Sequence, residues 1–218
     1  MTAPTPVEML APPSAPIHPA RFFHPSNLVT YLSLLAGLAA VVVAFESRST
    51  AFTGALIALS VLADTFDGRF AKLFRRDAAG RRFGEQLDSL TDAITFGFVP
   101  VIALYLLLPA MSGAALLGWW LAGFFYVVSA ITRLGFYNIV HKDAPGFIGL
   151  PTPVSALVWS SLLLAPPSAM ITGVALVGCG VLMVSPLPIP RPKGIGLAAF
   201  AAWALLLIVL HGSAAAGR

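Results

Sequence analysis

The chain has 218 residues, of which 58% are hydrophobic and only 10% are charged, and its mean hydropathy is +0.88. Soluble domains carry roughly 25% charged residues, so this composition excludes a soluble domain and indicates an integral membrane protein. The net charge of +4 comes without the basic stripe of a nucleic-acid-binding domain, and the single Cys179 excludes an internal disulfide and a cysteine-based zinc site.

Seven apolar runs are predicted to cross the membrane as helices. They cover approximately residues 27–45, 51–72, 86–108, 114–137, 149–165, 168–185 and 195–211. Residues 1–20 are rich in Pro, Ala and Thr and lack hydrophobic periodicity, so they are predicted to form a disordered tail. We expect an all-α integral membrane protein with about seven transmembrane helices. It would divide into a tail and interfacial segment (1–26), a six-helix core (27–190), and an extra helix with a tail (191–218).

The distribution of basic residues predicts the orientation of this bundle. With the N-terminus in the cytoplasm, only Arg48 and Arg218 of the thirteen Lys and Arg residues lie on the other side of the membrane. Lys and Arg are enriched in the cytoplasmic loops of membrane proteins. We therefore predict a multi-pass protein of the cell (cytoplasmic) membrane, with the basic loop 73–83 in the cytoplasm.

Most of the acidic residues lie in one stretch, between the second and third predicted spans. Asp64 and Asp67 close one apolar run, and Asp88 and Asp92 open the next. Spacings of three and four residues place two side chains on one face of a helix, so each helix end presents a pair of carboxylates. A charge at the bilayer centre costs about 2.5–3.5 kcal/mol on insertion scales. Four carboxylates therefore need a compensating partner, and a divalent metal ion is the simplest one.

The chemistry of this stretch favours phosphate transfer. Carboxylates in one small volume repel one another, so some hold a proton unless cations intervene. Two divalent ions would cancel four negative charges, and Mg²⁺ and Mn²⁺ prefer oxygen ligands and keep positions open for phosphate. Two such ions together promote in-line displacement at phosphorus. Gly68 and Gly84 leave room for a nucleotide or a diphosphate, and the surrounding Lys and Arg suit phosphate oxygens.

One motif runs through the acidic stretch. It is Asp64-x-x-Asp67-Gly68-x-x-Ala71-Lys72, followed by Gly84-x-x-x-Asp88-x-x-x-Asp92. The motif resembles the signature of the CDP-alcohol phosphatidyltransferase family. Lys72 stands where the family usually has Arg, and the segment between Lys72 and Gly84 is longer than usual. Lys keeps the charge of Arg but lacks its bidentate fork.

The family resemblance implies a role for each residue of the motif. It implies that the ligands of the metal ions, Mg²⁺ or Mn²⁺ and two in number, are Asp64, Asp67, Asp88 and Asp92. It implies that CDP-diacylglycerol is bound by Gly68, Ala71, Lys72 and Gly84, with Lys72 at the diphosphate. Asp92 would also be the general base that takes the proton of the acceptor hydroxyl.

Further segments resemble the branch of the family formed by bacterial and archaeal membrane phosphatidylserine synthases. These segments are FDGRFAK, RFGEQLDSLTDAITFGFVP, RLGFYN, FIGLPTP and LMVSPLPIP. The resemblance implies that L-serine accepts the phosphatidyl group of CDP-diacylglycerol, giving phosphatidylserine and CMP. It also implies membrane lipids as surroundings and a homodimer, which the small residues Gly113, Ala114 and Ala115 permit. No nucleic-acid partner is expected.

Two sets of polar residues have two interpretations each. Arg133, at the cytoplasmic end of the fourth span, either binds the serine carboxylate or extends to lipid phosphate at the membrane surface. Asn27, Thr30 and Ser33 share a helix face, so they either contact the substrate or hydrogen-bond a neighbouring helix.

Two other functions are weighed against this one. A cation transporter could use membrane aspartates as an ion path, but these aspartates cluster at one face and inverted repeats are absent. The same reaction with another acceptor (glycerol 3-phosphate, inositol phosphate or choline) is the closer alternative. The loop arginines could bind a phosphorylated acceptor, although membrane topology and anionic lipids explain them better. These arginines are Arg75, Arg76, Arg81 and Arg82.

Overall fold

A computed structural model describes residues 18–139, 146–190 and 192–217. The helices are α1 (Leu28–Glu46), α2 (Thr50–Ala71), α3 (Ala78–Asp92), a π-helical segment (Ala93–Phe98), α4 (Val99–Leu107), α5 (Gly113–Ile139), α6 (Thr152–Leu162), α7 (Ala169–Val184) and α8 (Ile195–Ala216). Two short 3-10 helices, Pro19–Phe22 and Pro25–Asn27, precede α1. The predicted all-α fold is confirmed. The predicted tail up to residue 17 and the basic residues Lys142, Arg191 and Arg218 lie outside the described residues.

The lengths of the helices determine which of them can cross a membrane alone. Five helical stretches are long and apolar enough, and they are Pro25–Glu46, Thr50–Ala71, Ala78–Leu107, Gly113–Ile139 and Ile195–Ala216. α7 has 16 residues and α6 has 11. These correspond to about 24 Å and about 17 Å, against a hydrocarbon thickness of about 30 Å. The chain is therefore a multi-pass membrane protein, and the count of seven spans remains a prediction.

The predicted loop 73–83 is helical from Ala78 onward. The Asp77 side chain accepts a hydrogen bond from the Gly80 backbone N–H at 2.7 Å, which caps α3. The other oxygen of Asp77 accepts a hydrogen bond from Arg21 Nη2 at 2.5 Å. The helix therefore begins well before the apolar run, because a single carboxylate fixes its first turn and ties it to the segment before α1.

The π-helical segment follows Asp92 directly and leads into Pro100. Proline has no backbone N–H, so the carbonyl of Phe96, four residues earlier, loses its helical partner. The Tyr126 hydroxyl donates to this carbonyl at 2.6 Å and in turn accepts from Trp159 Nε1 at 2.9 Å. The freed carbonyl is thus satisfied inside the bundle, as a backbone group at membrane depth must be. These bonds fix α5 and α6 against the end of the aspartate-bearing helix.

A small antiparallel sheet joins the two loops beside the site. β1 (Gly146–Ile148) pairs with β2 (Pro188–Pro190), and Phe147 lies opposite Ile189. Gly149 follows with φ +72°, and a Cβ there would clash with the Met183 carbonyl. Its backbone N–H donates to the Leu187 carbonyl at 2.8 Å. This glycine therefore lets the chain turn tightly against the end of α7 before α6 begins.

α8 is anchored to the bundle by a buried histidine. The His211 ring nitrogen Nε2 lies 2.9 Å from the Ser160 carbonyl oxygen of α6. The Ser160 hydroxyl donates to the Gly54 carbonyl of α2 at 2.8 Å. The last helix is therefore held against α2 and α6, and its first half extends along the cytoplasmic end predicted for the site.

Candidate active site

Three of the four motif aspartates converge. Asp64 on α2 and Asp88 and Asp92 on α3 each offer one carboxylate oxygen, and these oxygens all lie within 4.8 Å of one another. Asp67, one turn after Asp64, accepts a hydrogen bond from Thr30 Oγ1 at 2.9 Å. All four carboxylates are half-buried. The predicted pairing of two helix ends is therefore the arrangement found.

This aspartate cluster suits a hard divalent cation. Oxygen donors are the ligands that Mg²⁺ and Mn²⁺ prefer. The Asp92 Oδ1 atom is buried and has no hydrogen-bond partner in the described part of the chain. An unpaired buried carboxylate oxygen is costly, and a bound cation would satisfy it. The residues that could hold a metal ion are thus Asp64, Asp88 and Asp92, with Asp67 adjacent.

A small cavity of about 180 Å³ opens on one side of the aspartates. Its lining includes Asp67, Asp88, Asn27, Thr30, Arg76, Arg81 and the motif residues Gly68, Ala71 and Gly84. At Gly68 an added Cβ would meet no atom within 4 Å, so the backbone there faces open space. Three of the four residues predicted to bind CDP-diacylglycerol therefore share one cavity. Lys72, the fourth, is exposed and lines none of the cavities described here.

A larger cavity of about 740 Å³ also adjoins the aspartates. Asp67 and Asp88 line both cavities, and Asp64 and Asp92 face the larger one. The rest of its wall is mostly apolar, with Ile189, Pro153, Leu197, Phe200 and Trp203 among the residues present. The aspartates therefore stand between a small polar cavity and a large cavity with an apolar wall.

Arg133 lies in the wall of the larger cavity. Its side chain is only 6% exposed, and its Nε atom is buried with no hydrogen-bond partner among the described residues. The guanidinium carbon lies 4.6 Å from the centre of the Tyr137 ring and 5.6 Å from that of Phe147. Such contacts stabilise a partly desolvated cation. This burial disagrees with a side chain extended to lipid phosphate at the membrane surface.

Sequence comparisons identify the family. The profile of the CDP-alcohol phosphatidyltransferase family matches residues 23–209. The chain belongs to the CDP-alcohol phosphatidyltransferase family. It is similar to the CDP-diacylglycerol–serine O-phosphatidyltransferase of Mycobacterium tuberculosis, with 30% identity over 205 residues that cover 87% of this chain and 69% of the relative.

Two archaeal relatives have comparable similarity. The archaetidylserine synthase of Methanothermobacter thermautotrophicus is 32% identical over 172 residues, which cover 78% of this chain and 71% of the relative. The CDP-diacylglycerol–serine O-phosphatidyltransferase of Methanocaldococcus jannaschii is 31% identical over 185 residues, which cover 84% of this chain and 83% of the relative. The predicted family and the prediction of a transferase are thereby confirmed. Members of the family use divalent metal ions, in agreement with the aspartate cluster.

The polar residues Asn27, Thr30 and Ser33 make different contacts. The Ser33 hydroxyl donates to the Ser60 carbonyl of α2 at 3.0 Å, so Ser33 bonds a neighbouring helix. Thr30 instead holds the Asp67 carboxylate, and both Thr30 and Asn27 line the small cavity. Thr30 and Ser33 therefore both bond the neighbouring α2, and substrate contact by Asn27 and Thr30 in the small cavity stays a prediction.

Two groups of cavity residues were not predicted as site residues of the phosphatidyltransferase. One is the first half of α8, including Phe200 and Trp203, for which the apolar run gave no signal beyond a membrane span. The other is Arg76 with Arg81, whose place beside the motif glycines depends on the fold of the loop before α3. A basic loop next to a phosphate-binding motif was a signal for the second group. It did not indicate which of the loop arginines line the cavity.

Proposed function

We propose that the protein transfers the phosphatidyl group of CDP-diacylglycerol to L-serine, releasing CMP and phosphatidylserine. The bacterial and archaeal relatives are CDP-diacylglycerol–serine O-phosphatidyltransferases, which supports this acceptor. The observation that carries the proposal is the buried Arg133, whose Nε has no hydrogen-bond partner among the described residues and which lines the same cavity as Asp92. A guanidinium matches the carboxylate of serine, which choline lacks, but it also matches the phosphate of glycerol 3-phosphate and inositol phosphate, so the choice of serine over these two rests on the relatives.

The two cavities give each part of the substrates a place. The nucleotide occupies the small cavity, which Gly68, Ala71 and Gly84 line and where Gly68 leaves the backbone open. The diphosphate lies over the two shared residues, Asp67 and Asp88. Serine and the diacylglycerol half occupy the larger cavity, whose apolar wall from α8 suits lipid. In this proposal the acceptor and the leaving nucleotide occupy different cavities that share Asp67 and Asp88.

The aspartates supply the chemistry of the transfer. Asp64, Asp88 and Asp92, whose carboxylate oxygens converge, would hold Mg²⁺ or Mn²⁺ together with Asp67, and the family motif implies two ions. When bound, these ions neutralise the diphosphate and make CMP a better leaving group. The serine hydroxyl oxygen bonds to the phosphorus of the phosphatidyl group, and the bond from that phosphorus to the bridging oxygen of CMP breaks. Asp92 accepts the hydroxyl proton, through a carboxylate whose Oδ1 has no partner in the described part of the chain.

The location and assembly of the enzyme complete the proposal. The basic loop before α3 and the aspartates lie at the cytoplasmic face, where serine and metal ions are available. The protein is a homodimer in the cell membrane. Light scattering of the protein in detergent measures its molar mass and so tests the dimer. Lys72 remains a candidate diphosphate contact on its motif position, although its side chain is exposed.

An acceptor panel tests the proposed reaction. The purified protein is incubated with CDP-diacylglycerol, Mg²⁺ or Mn²⁺ and one alcohol at a time, and CMP release is measured. We expect release with L-serine and little with glycerol 3-phosphate, inositol phosphate or choline. Release with one of the other alcohols alone would contradict serine as the acceptor while leaving the reaction class intact. No release with any alcohol would contradict the proposed reaction as a whole.

Replacing Arg133 tests the carboxylate contact. Arg133→Ala should raise the KM for serine by about tenfold or more, the scale of a lost hydrogen bond to a charged group. Arg133→Lys should have a smaller effect in the same direction, because Lys lacks the fork. The KM for CDP-diacylglycerol should change little. Arg82→Ala is the control, since Arg82 is exposed and lines neither of the two cavities at the aspartates. An unchanged serine KM in both Arg133 variants would rule out the contact.

A further inference from the structure

Arg76 lies at the edge of the small cavity, although it falls outside the family motif. Its Nη1 atom is 2.7 Å from the position that a Cβ on Gly84 would take. The absence of a side chain at Gly84 therefore gives the guanidinium its place. Asp67, Gly68 and Asp88 line the same cavity, so Arg76 stands beside the proposed nucleotide site.

The backbone around Arg76 is fixed from both sides. Arg81 Nη1 donates to the Arg76 carbonyl at 2.7 Å. The next residue, Asp77, caps α3 and pairs with Arg21 across the N-terminal segment. By contrast, the guanidinium of Arg76 makes no hydrogen bond or ion pair within the described parts of the chain. A positioned but unpaired cation beside a polar cavity is suited to an anionic ligand.

Lys72 does not have this geometry. It lies at the end of α2 with an exposed side chain and lines none of the cavities at the aspartates. Arg76 belongs to the segment between Lys72 and Gly84, and this segment brings a second cation close to the motif glycine Gly84. Its planar fork also matches phosphate oxygens better than an ammonium group does.

We propose that Arg76 binds the phosphate of the CMP half of CDP-diacylglycerol, the contact expected of Lys72 from the motif alone. The proposal rests on the placement of the nucleotide in the small cavity. Arg76 stabilises both the bound donor and the departing CMP, because that phosphate remains with the nucleotide after transfer. It is therefore a substrate-binding residue outside the family motif.

Direct binding of CMP and UMP to the purified protein, measured by calorimetry with Mg²⁺ present, tests this role. Arg76→Ala should raise the Kd of CMP by ~10-fold to 100-fold, the range for a hydrogen bond to a charged group. The Kd of UMP should rise by the same factor, because the two nucleotides share the phosphate and differ in the base. Arg76→Lys should give an intermediate value. The KM for CDP-diacylglycerol should rise with Kd, and that for serine should not.

Arg75→Ala is the matched control. Arg75 is the adjacent residue, has the same charge, is exposed, and does not line the small cavity. An equal rise in the Kd of CMP for Arg75→Ala would reduce the effect to general surface charge and overturn the proposal. An unchanged Kd in Arg76→Ala would overturn it as well, and so would a loss confined to CMP, which indicates a base contact. The titration needs no turnover, so its outcome is separate from that of the acceptor panel.

Discussion

The variants Asp88→Asn and Asp92→Asn should each lower kcat for CMP release by about a thousandfold or more. Asn keeps the size of the side chain but removes the charge that a divalent cation requires. Loss of a general base alone costs ~10² to 10⁴ in rate, and Asp92 is proposed to serve in both roles. Asp88 is one of the two aspartates that line both cavities, so its loss affects the position proposed for the diphosphate.

The control for these variants is Glu46→Gln, which removes an exposed carboxylate at the end of α1, remote from the motif. This change should leave kcat unaltered. The Asn variants should also keep their helical circular dichroism, because removing one of several mutually repelling carboxylates does not weaken packing. Retention of more than a tenth of wild-type kcat by Asp92→Asn would show that this residue is neither the base nor a required ligand.

Local spacing made the aspartates predictable. Asp64 with Asp67, and Asp88 with Asp92, are three and four residues apart, so helical geometry alone places each pair on one face. The convergence of Asp64 with Asp88 and Asp92 then follows from a short connection between two helices. The family resemblance, and not local spacing, predicted a shared role for Gly68, Ala71 and Gly84, which line one cavity.

The parts of the site that were not predicted depend on contacts between residues far apart in the sequence. Arg76 reaches Gly84 because Asp77 caps α3 and pairs with Arg21, a residue far away in sequence. Hydrophobic periodicity carries no information on such a pairing, and the loop 73–83 was therefore predicted without its helical turn. The wall formed by α8 likewise follows from the buried His211 contact with α6.

The burial of Arg133 likewise could not be predicted from local sequence. A lone cation at a helix end has two physical solutions, and sequence alone does not choose between them. The rings of Tyr137 and Phe147 cover the guanidinium, and Phe147 comes from a strand whose partner lies beyond α7. Binding of the serine carboxylate by Arg133 stays a proposal. The β1–β2 pair was not predicted, because three-residue strands rich in Gly and Pro lack any alternating pattern.

Chelation of divalent ions should abolish the activity. EDTA should reduce CMP release to background, and excess Mg²⁺ or Mn²⁺ should restore it, because the aspartates alone leave the diphosphate charge without compensation. Thermal unfolding provides a readout that does not depend on turnover. A ligand that binds only the folded state stabilises it by about 2.7 kcal/mol at a hundred times its Kd, so Mn²⁺ should raise the Tm of the wild-type protein.

The aspartate variants separate a specific site from general ion effects in this measurement. In Asp88→Asn the rise in Tm with Mn²⁺ should be largely lost, whereas Glu46→Gln should respond like the wild type, since it leaves the cluster intact. Electron paramagnetic resonance of bound Mn²⁺ should likewise show weaker binding by Asp88→Asn than by Glu46→Gln or the wild type. Full activity in EDTA, or an equal Mn²⁺ response in Asp88→Asn and the wild type, would be incompatible with a metal held by Asp64, Asp88 and Asp92.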